Sequence, residues 1–88
     1  MNKDKLKEDV RNGFISVDSK EFFEKKVKEG IEQHKMNFRE FKLLNPDKDF
    51  NAWKNENVAR INENASTKEE LMAIGIFLIA LDQFQPIE

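Results

Sequence analysis

The sequence predicts an all-α fold: a small bundle of three or four helices, built as one domain over residues 1–88, with an apolar carboxyl-terminal helix at its centre. Three observations carry this. Leu71 to Leu81 is an unbroken run of eleven residues without a charged or hydrogen-bonding side chain. Two overlapping capping boxes, Ser66-x-x-Glu69 and Thr67-x-x-Glu70, stand directly before it. The stripe Phe23, Val27, Ile31, His34, Phe38 and Phe41 recurs at spacings of four and three, the signature of one continuous helical face.

The elements follow in order. Leu6 and Val10, with Phe14 a further turn on, suit a short first helix, and Asn12-Gly13 is a turn signal that ends it. Phe14 to Val17 reads as a short strand or an extended connector. Asp18 can cap the second helix with Glu21 as its box partner, and Val17 and Phe22 take the hydrophobic-staple positions. Gly30 costs about 1 kcal/mol relative to Ala inside a helix. The stripe nevertheless keeps its phase across it, so one long helix is expected, bent there if anywhere.

Asn45-Pro46 closes that helix, because proline disfavours the helical conformation of the preceding residue. The same pair suits the start of a third helix, with Asn45 as cap and Pro46 at the first helical position. Phe50, Trp53, Val58 and Ile61 give this helix a modest apolar face, and Asn62 to Ala65 reads as a loop. The last helix is expected from about Lys68 to Phe84, with Pro86 blocking continuation.

The alternative is α+β, with Ile74 to Ile79 pairing as a strand with Phe14 to Val17, since a buried strand is also an unbroken apolar run. The doubled capping box, the length of the run and the absence of turn residues before Pro86 favour the helix. The run is too short for a membrane span, which needs about 20 residues.

Wound as a helix, the run is apolar on every side and is expected to be buried on every side. Its eight large side chains would contribute roughly 12–24 kcal/mol gross at about 1.5–3 kcal/mol each. Three short amphipathic helices hardly cover that much surface. The remaining face is therefore expected to meet a second copy or another protein, with Met72, Gly75 and Ile79 along one strip where the missing Cβ lets a second backbone approach. Ile76 joins the same candidate interface, as do Phe50 and Trp53, because aromatic residues dominate interface hot spots. Eight phenylalanines in 88 residues supply more anchors than a small monomer hides comfortably.

Composition bounds the chemistry. The absence of Cys excludes disulfides, thiolate metal sites and a Cys nucleophile. With no Tyr and one His, acid–base work would fall to His34 or to carboxylates. His34 sits inside the apolar stripe with no carboxylate three or four residues away, so a structural histidine with one nitrogen at the surface is expected. Asp47-x-Asp49-x-Asn51 resembles the opening of a calcium-binding EF-hand loop, but Ala52 and Val58 stand where that loop needs Gly and Glu, so capping is the expected role. No glycine-rich phosphate loop occurs. No cofactor and no metal are expected.

Net charge is −2, with +2 over residues 1–44 and −4 over residues 45–88. Lys3, Lys5, Lys7 and Arg11 alternate with Asp4, Glu8 and Asp9, so neither half builds the single-sign field that nucleic acid or an anionic membrane requires. No apolar segment follows the first seven residues, which predicts no secretory signal and a cytoplasmic location.

The expected function is therefore non-enzymatic: a protein–protein interaction module that occludes or scaffolds another protein. Its size and its excess of Lys over Arg, 12 to 3, with 9 Asn, suit an accessory or inhibitory protein of a phage or low-GC bacterium, including inhibitors of host defences. The alternative is a structural homo-oligomer whose assembly is the function. A weaker alternative is a dimeric regulator that binds nucleic acid.

Overall fold

In the computed structural model, which describes residues 2–13 and 19–86, the four helices are α1 (Lys3–Arg11), α2 (Lys20–Leu44), α3 (Phe50–Ala59) and α4 (Lys68–Gln83). The fold is an all-helical bundle, with no strand among the described residues. Ile74 to Ile79 lies inside α4, which removes the strand alternative there; Phe14 to Val17 falls outside the described residues.

Each helix starts where a short polar side chain can take the place of the missing turn. The Asn2 side chain accepts from the Lys5 amide at 3.0 Å, the Ser19 hydroxyl from Phe22 at 3.0 Å and the Asp49 carboxylate from Ala52 at 2.9 Å. At α4, Thr67 is the cap. Its Oγ1 accepts from the Glu70 amide at 3.2 Å and donates to the Glu70 carboxylate at 2.9 Å. Two of these starts differ from the sequence expectation. The cap of α2 is Ser19, and the expected Asp18 lies outside the described residues. Asn45 and Pro46 do not open α3. Instead Asn45 ends α2, with both its backbone amide (2.8 Å) and its side-chain amide (3.2 Å) donating to the Phe41 carbonyl. The Lys48 amide then donates to the Asn45 carbonyl at 3.0 Å, closing a turn with Pro46 at its second position, where the proline ring fits best. The extra turn moves the start of α3 to Phe50.

The ends are equally local. Gly13, at φ +80°, follows α1 in the left-handed conformation that a side chain resists. α4 ends at Gln83, with Phe84 as its extended cap and Pro86 beyond. α2 runs through Gly30 without a break. A Cβ at Gly30 would lie 2.9 Å from the Ala80 Cβ, so glycine there is the condition for close approach of α2 and α4.

α4 packs against both α1 and α2, while α3 rests mainly on α2. One apolar cluster joins Leu6 and Val10 of α1 to Val27 of α2 and to Leu78, Ile79 and Ala80 of α4. A second gathers Phe38, Trp53, Leu81 and Phe84, and the half-buried Ile31, Val58 and Phe77 touch both.

The body is a slab with Cα extents of 40 × 28 × 16 Å. Helix axes pack about 8–10 Å apart, so a thickness of that order holds two layers and leaves each helix one side toward water. This corrects the expectation that α4 is buried all round. One turn of it is, with Leu78, Ile79, Ala80 and Leu81 all buried, but Ala73 is exposed and Leu71, Met72, Ile74, Ile76 and Phe77 are only half-buried. Flatness has a cost in surface. The chain exposes 6177 Å², where a compact monomer of its mass would expose about 5400 Å².

Candidate interaction surface

Three of the six residues expected to meet a partner, Trp53, Gly75 and Ile79, are buried inside the bundle. Trp53 is 3% exposed and lies at the centre of an aromatic cluster. Its ring centroid is 5.3 Å from Phe38, 5.7 Å from Phe50, 5.8 Å from Phe84 and 5.8 Å from His34. All but the Phe50 pair, which is stacked, meet edge to face. Such pairs are each worth about 0.5–1.5 kcal/mol beyond the area they bury. The cluster therefore pins α3 and the end of α4 onto α2, and Phe50 is half-buried within it.

Gly75 and Ile79 are also internal. A Cβ on Gly75 would collide with the Val10 side chain of α1 and stand 3.7 Å from the Leu6 carbonyl oxygen. The backbone that approaches this glycine thus belongs to the same chain, and Ile79 is 0% exposed. The sequence indicated correctly that a helix comes close here, but not which helix. Of the six candidates, Phe50, Met72 and Ile76 keep accessible surface, and they do not converge: Phe50 belongs to the aromatic cluster, while Ile76 packs against the α1–α2–α4 cluster.

None of the seven described phenylalanines is exposed. Among the described residues, the large apolar side chains left in water are Leu43 at 79% exposure, Leu44 at 75% and Met36 at 63%. All three lie on the carboxyl half of α2, at spacings of seven and eight, and so on the side turned away from Phe38 and Phe41. The signal was present in the sequence, since Met36, Leu43 and Leu44 break an otherwise polar face; the stronger Phe stripe on the opposite side masked it.

Beside this strip, a groove of about 670 Å³ runs between α2 and the segment following α4, with Phe38 and Phe84 in its wall and Leu43 at its edge. Lys35, Arg39 and Lys42 also line it. Their spacings of four and three place them in one row along α2. Lys42 Nζ donates to the Lys48 carbonyl at 2.8 Å and the Pro46 carbonyl at 3.4 Å, which steadies the turn before α3. Neither Lys35 nor Arg39 forms an ion pair with a described residue. Glu32 is the one carboxylate among the described residues of the lining.

His34 is 2% exposed, so neither ring nitrogen reaches the surface as expected. Nε2 lies 3.2 Å from the Phe77 carbonyl oxygen, which can only accept, so Nε2 carries the hydrogen. Nδ1 is buried and has no hydrogen-bond partner among the described residues. Desolvation holds the imidazole below its ordinary pKa, against a smaller upward pull from the Phe77 carbonyl. A neutral ring wedged edge-on at 4.6 Å from Phe77 serves packing.

The Asp47-x-Asp49-x-Asn51 segment contributes the α3 cap through Asp49. Among the described residues no group of three or more His, Cys, Asp or Glu side chains is arranged to hold a metal ion, and no helix is long and apolar enough to cross a membrane. Compared with known protein families, curated proteins and solved structures, the chain matches none.

Proposed function

We propose that this chain is a non-enzymatic interaction protein that works by binding another protein and occluding or scaffolding it. The observation that carries this reading is the apolar strip Met36, Leu43 and Leu44, left in water beside an open groove on a chain that leaves none of its described aromatic residues exposed. A small flat body cannot spare apolar area without cost: each leucine left in water forgoes about 1.5–3 kcal/mol of burial. Exposed apolar area grouped on one face is the usual mark of a contact surface. The size and the Lys- and Asn-rich composition suit an accessory or inhibitory protein of a phage or low-GC bacterium.

Affinity capture from the source cell with the wild-type chain and with a Leu43→Ser/Leu44→Ser variant tests the reading. A protein retained by the wild type and lost by the helical, correctly folded variant supports it. Equal capture by both removes the strip from the contact.

A homo-oligomer is the second reading, supported by the half-buried Met72 and Ile76 flanking the exposed Ala73 on α4. Light scattering separates the two: a self-assembly has a multiple of the 10.4 kDa chain mass, and Met72→Ser/Ile76→Ser returns it to the monomer.

A further inference from the structure

We infer that the groove between α2 and the segment after α4 is a receptor site for an acidic amphipathic helix of another protein, one that presents carboxylates on one side and a Leu or Phe anchor on the other. This rests on the interaction-protein reading and specifies its partner. The groove has two chemistries side by side. Its wall is apolar, formed by Phe38 and Phe84 with Leu43 projecting at the edge, and Lys35, Arg39 and Lys42 stand in a row along it. Among the described residues, three cations face one carboxylate, Glu32, in a chain whose net charge is −2. This edge is therefore locally opposite in sign to the whole, and the cations at Lys35 and Arg39 have no ion-pair partner among the described residues.

The spacing selects the ligand. Lys35 and Arg39 stand at i and i+4, with Lys42 at i+7 already holding the turn before α3. A helix laid alongside would therefore meet the first two with carboxylates one turn apart, while one apolar side chain per turn enters the groove. Complementary charge sets the partner and its orientation, and the buried anchor supplies affinity. An anionic membrane fits less well. A concave groove offers it few contacts, and Glu29, Glu32 and Glu40 lie on the same helix as the basic row. Nucleic acid fits less well again, because three cations neutralise few phosphates and the exposed Leu43 has no role there.

Selection of a displayed library of random 16-residue peptides on the full chain tests the assignment, followed by anisotropy measurements on the selected peptides. Selected peptides are expected to carry Asp or Glu at spacings of three and four beside Leu or Phe. Their binding should weaken about ten-fold on Lys35→Glu/Arg39→Glu, as two attractions become repulsions. It should weaken likewise between 50 and 500 mM NaCl, while Leu43→Ser should reduce binding at both salt concentrations. Circular dichroism verifies that the variants fold. Selected peptides that are basic or uncharged, or that bind the charge-reversed variant equally, overturn the groove assignment and leave the interaction-protein reading standing. No selected peptide at all overturns the assignment. Sedimentation of the chain with phosphatidylcholine–phosphatidylserine vesicles (7:3) that is lost on Lys35→Glu/Arg39→Glu assigns the groove to lipid and overturns both.

Discussion

Replacing Gly75 with alanine sets two effects of opposite sign against each other, and the seam between α1 and α4 decides which wins. In an open helix the change would stabilise by about 1 kcal/mol, the propensity difference between glycine and alanine. Here the new Cβ would overlap Val10 Cγ2 and lie 3.2 Å from Val10 Cβ. Val10 cannot swing aside: it is 1% exposed, and a β-branched side chain has one strongly preferred rotamer in a helix. α1 must therefore shift, and overpacking of this kind costs about 1–3 kcal/mol. The balance is a net loss of about 1 kcal/mol, or a fall in Tm of about 4–8 °C for a domain of this size. Val10→Ala alone should cost about 2 kcal/mol, from two lost methyl groups and the space they leave. In the double variant the overlap with Cγ2 is gone, the 3.2 Å approach to Cβ remains, and the helix propensity gain returns, so its cost should be about 1 kcal/mol instead of 3, a coupling of about 2 kcal/mol. Urea denaturation followed at 222 nm measures all four corners of the cycle. Single effects that add to within about 0.5 kcal/mol, or a Gly75→Ala protein more stable than wild type, would refute the internal-seam account. A change in solution mass without a change in monomer stability would return Gly75 to a contact between chains.

Thr67→Ala removes both hydroxyl bonds at the start of α4 and should cost about 1 kcal/mol; Ser66→Ala, one residue earlier, should cost far less, and thermal melts compare the two. Asp82 accepts from Lys7 at 2.6 Å and pairs with Lys54 at 3.7 Å, joining α1, α3 and α4. Asp82→Asn should cost about 0.5–1 kcal/mol, and the difference should shrink in 1 M NaCl because the site is partly exposed. His34 has a folded pKa below the unfolded value of about 6.5. Its contribution to stability is complete above that value and is lost as pH falls from there through the lowered folded pKa, since the unfolded chain binds the proton first. Chemical denaturation across this range should show the loss in wild type and a flatter profile in His34→Leu; equal slopes would remove His34 from the acid response.

Much of the architecture is legible in the chain because its causes are local. Thr67 with Glu70 marks the start of α4, Pro86 limits its end, and Asn12-Gly13 stops α1 through the conformation that only glycine takes freely. The stripe from Phe23 to Phe41 states that α2 is one helix despite Gly30, because periodicity reads through a single residue. Where two local signals compete, the sequence misleads. Asn45-Pro46 satisfies the rules for opening a helix as well as those for closing one, and the difference lies in a turn bond from Lys48 that no pattern announces.

By itself, then, the sequence determined that the chain is helical, where α4 begins, where α1, α2 and α4 end, and that the last helix carries the core. Tertiary structure alone decided which apolar side chains would have a partner. Side chains on one helix face are counted by period, but cover depends on how many layers the helices form, and a two-layer slab hides Trp53, Gly75 and Ile79 while it leaves Leu43, Leu44 and Met36 in water. Burial is a property of the whole packing, which is why the candidate surface moved from α4 to the outer side of α2.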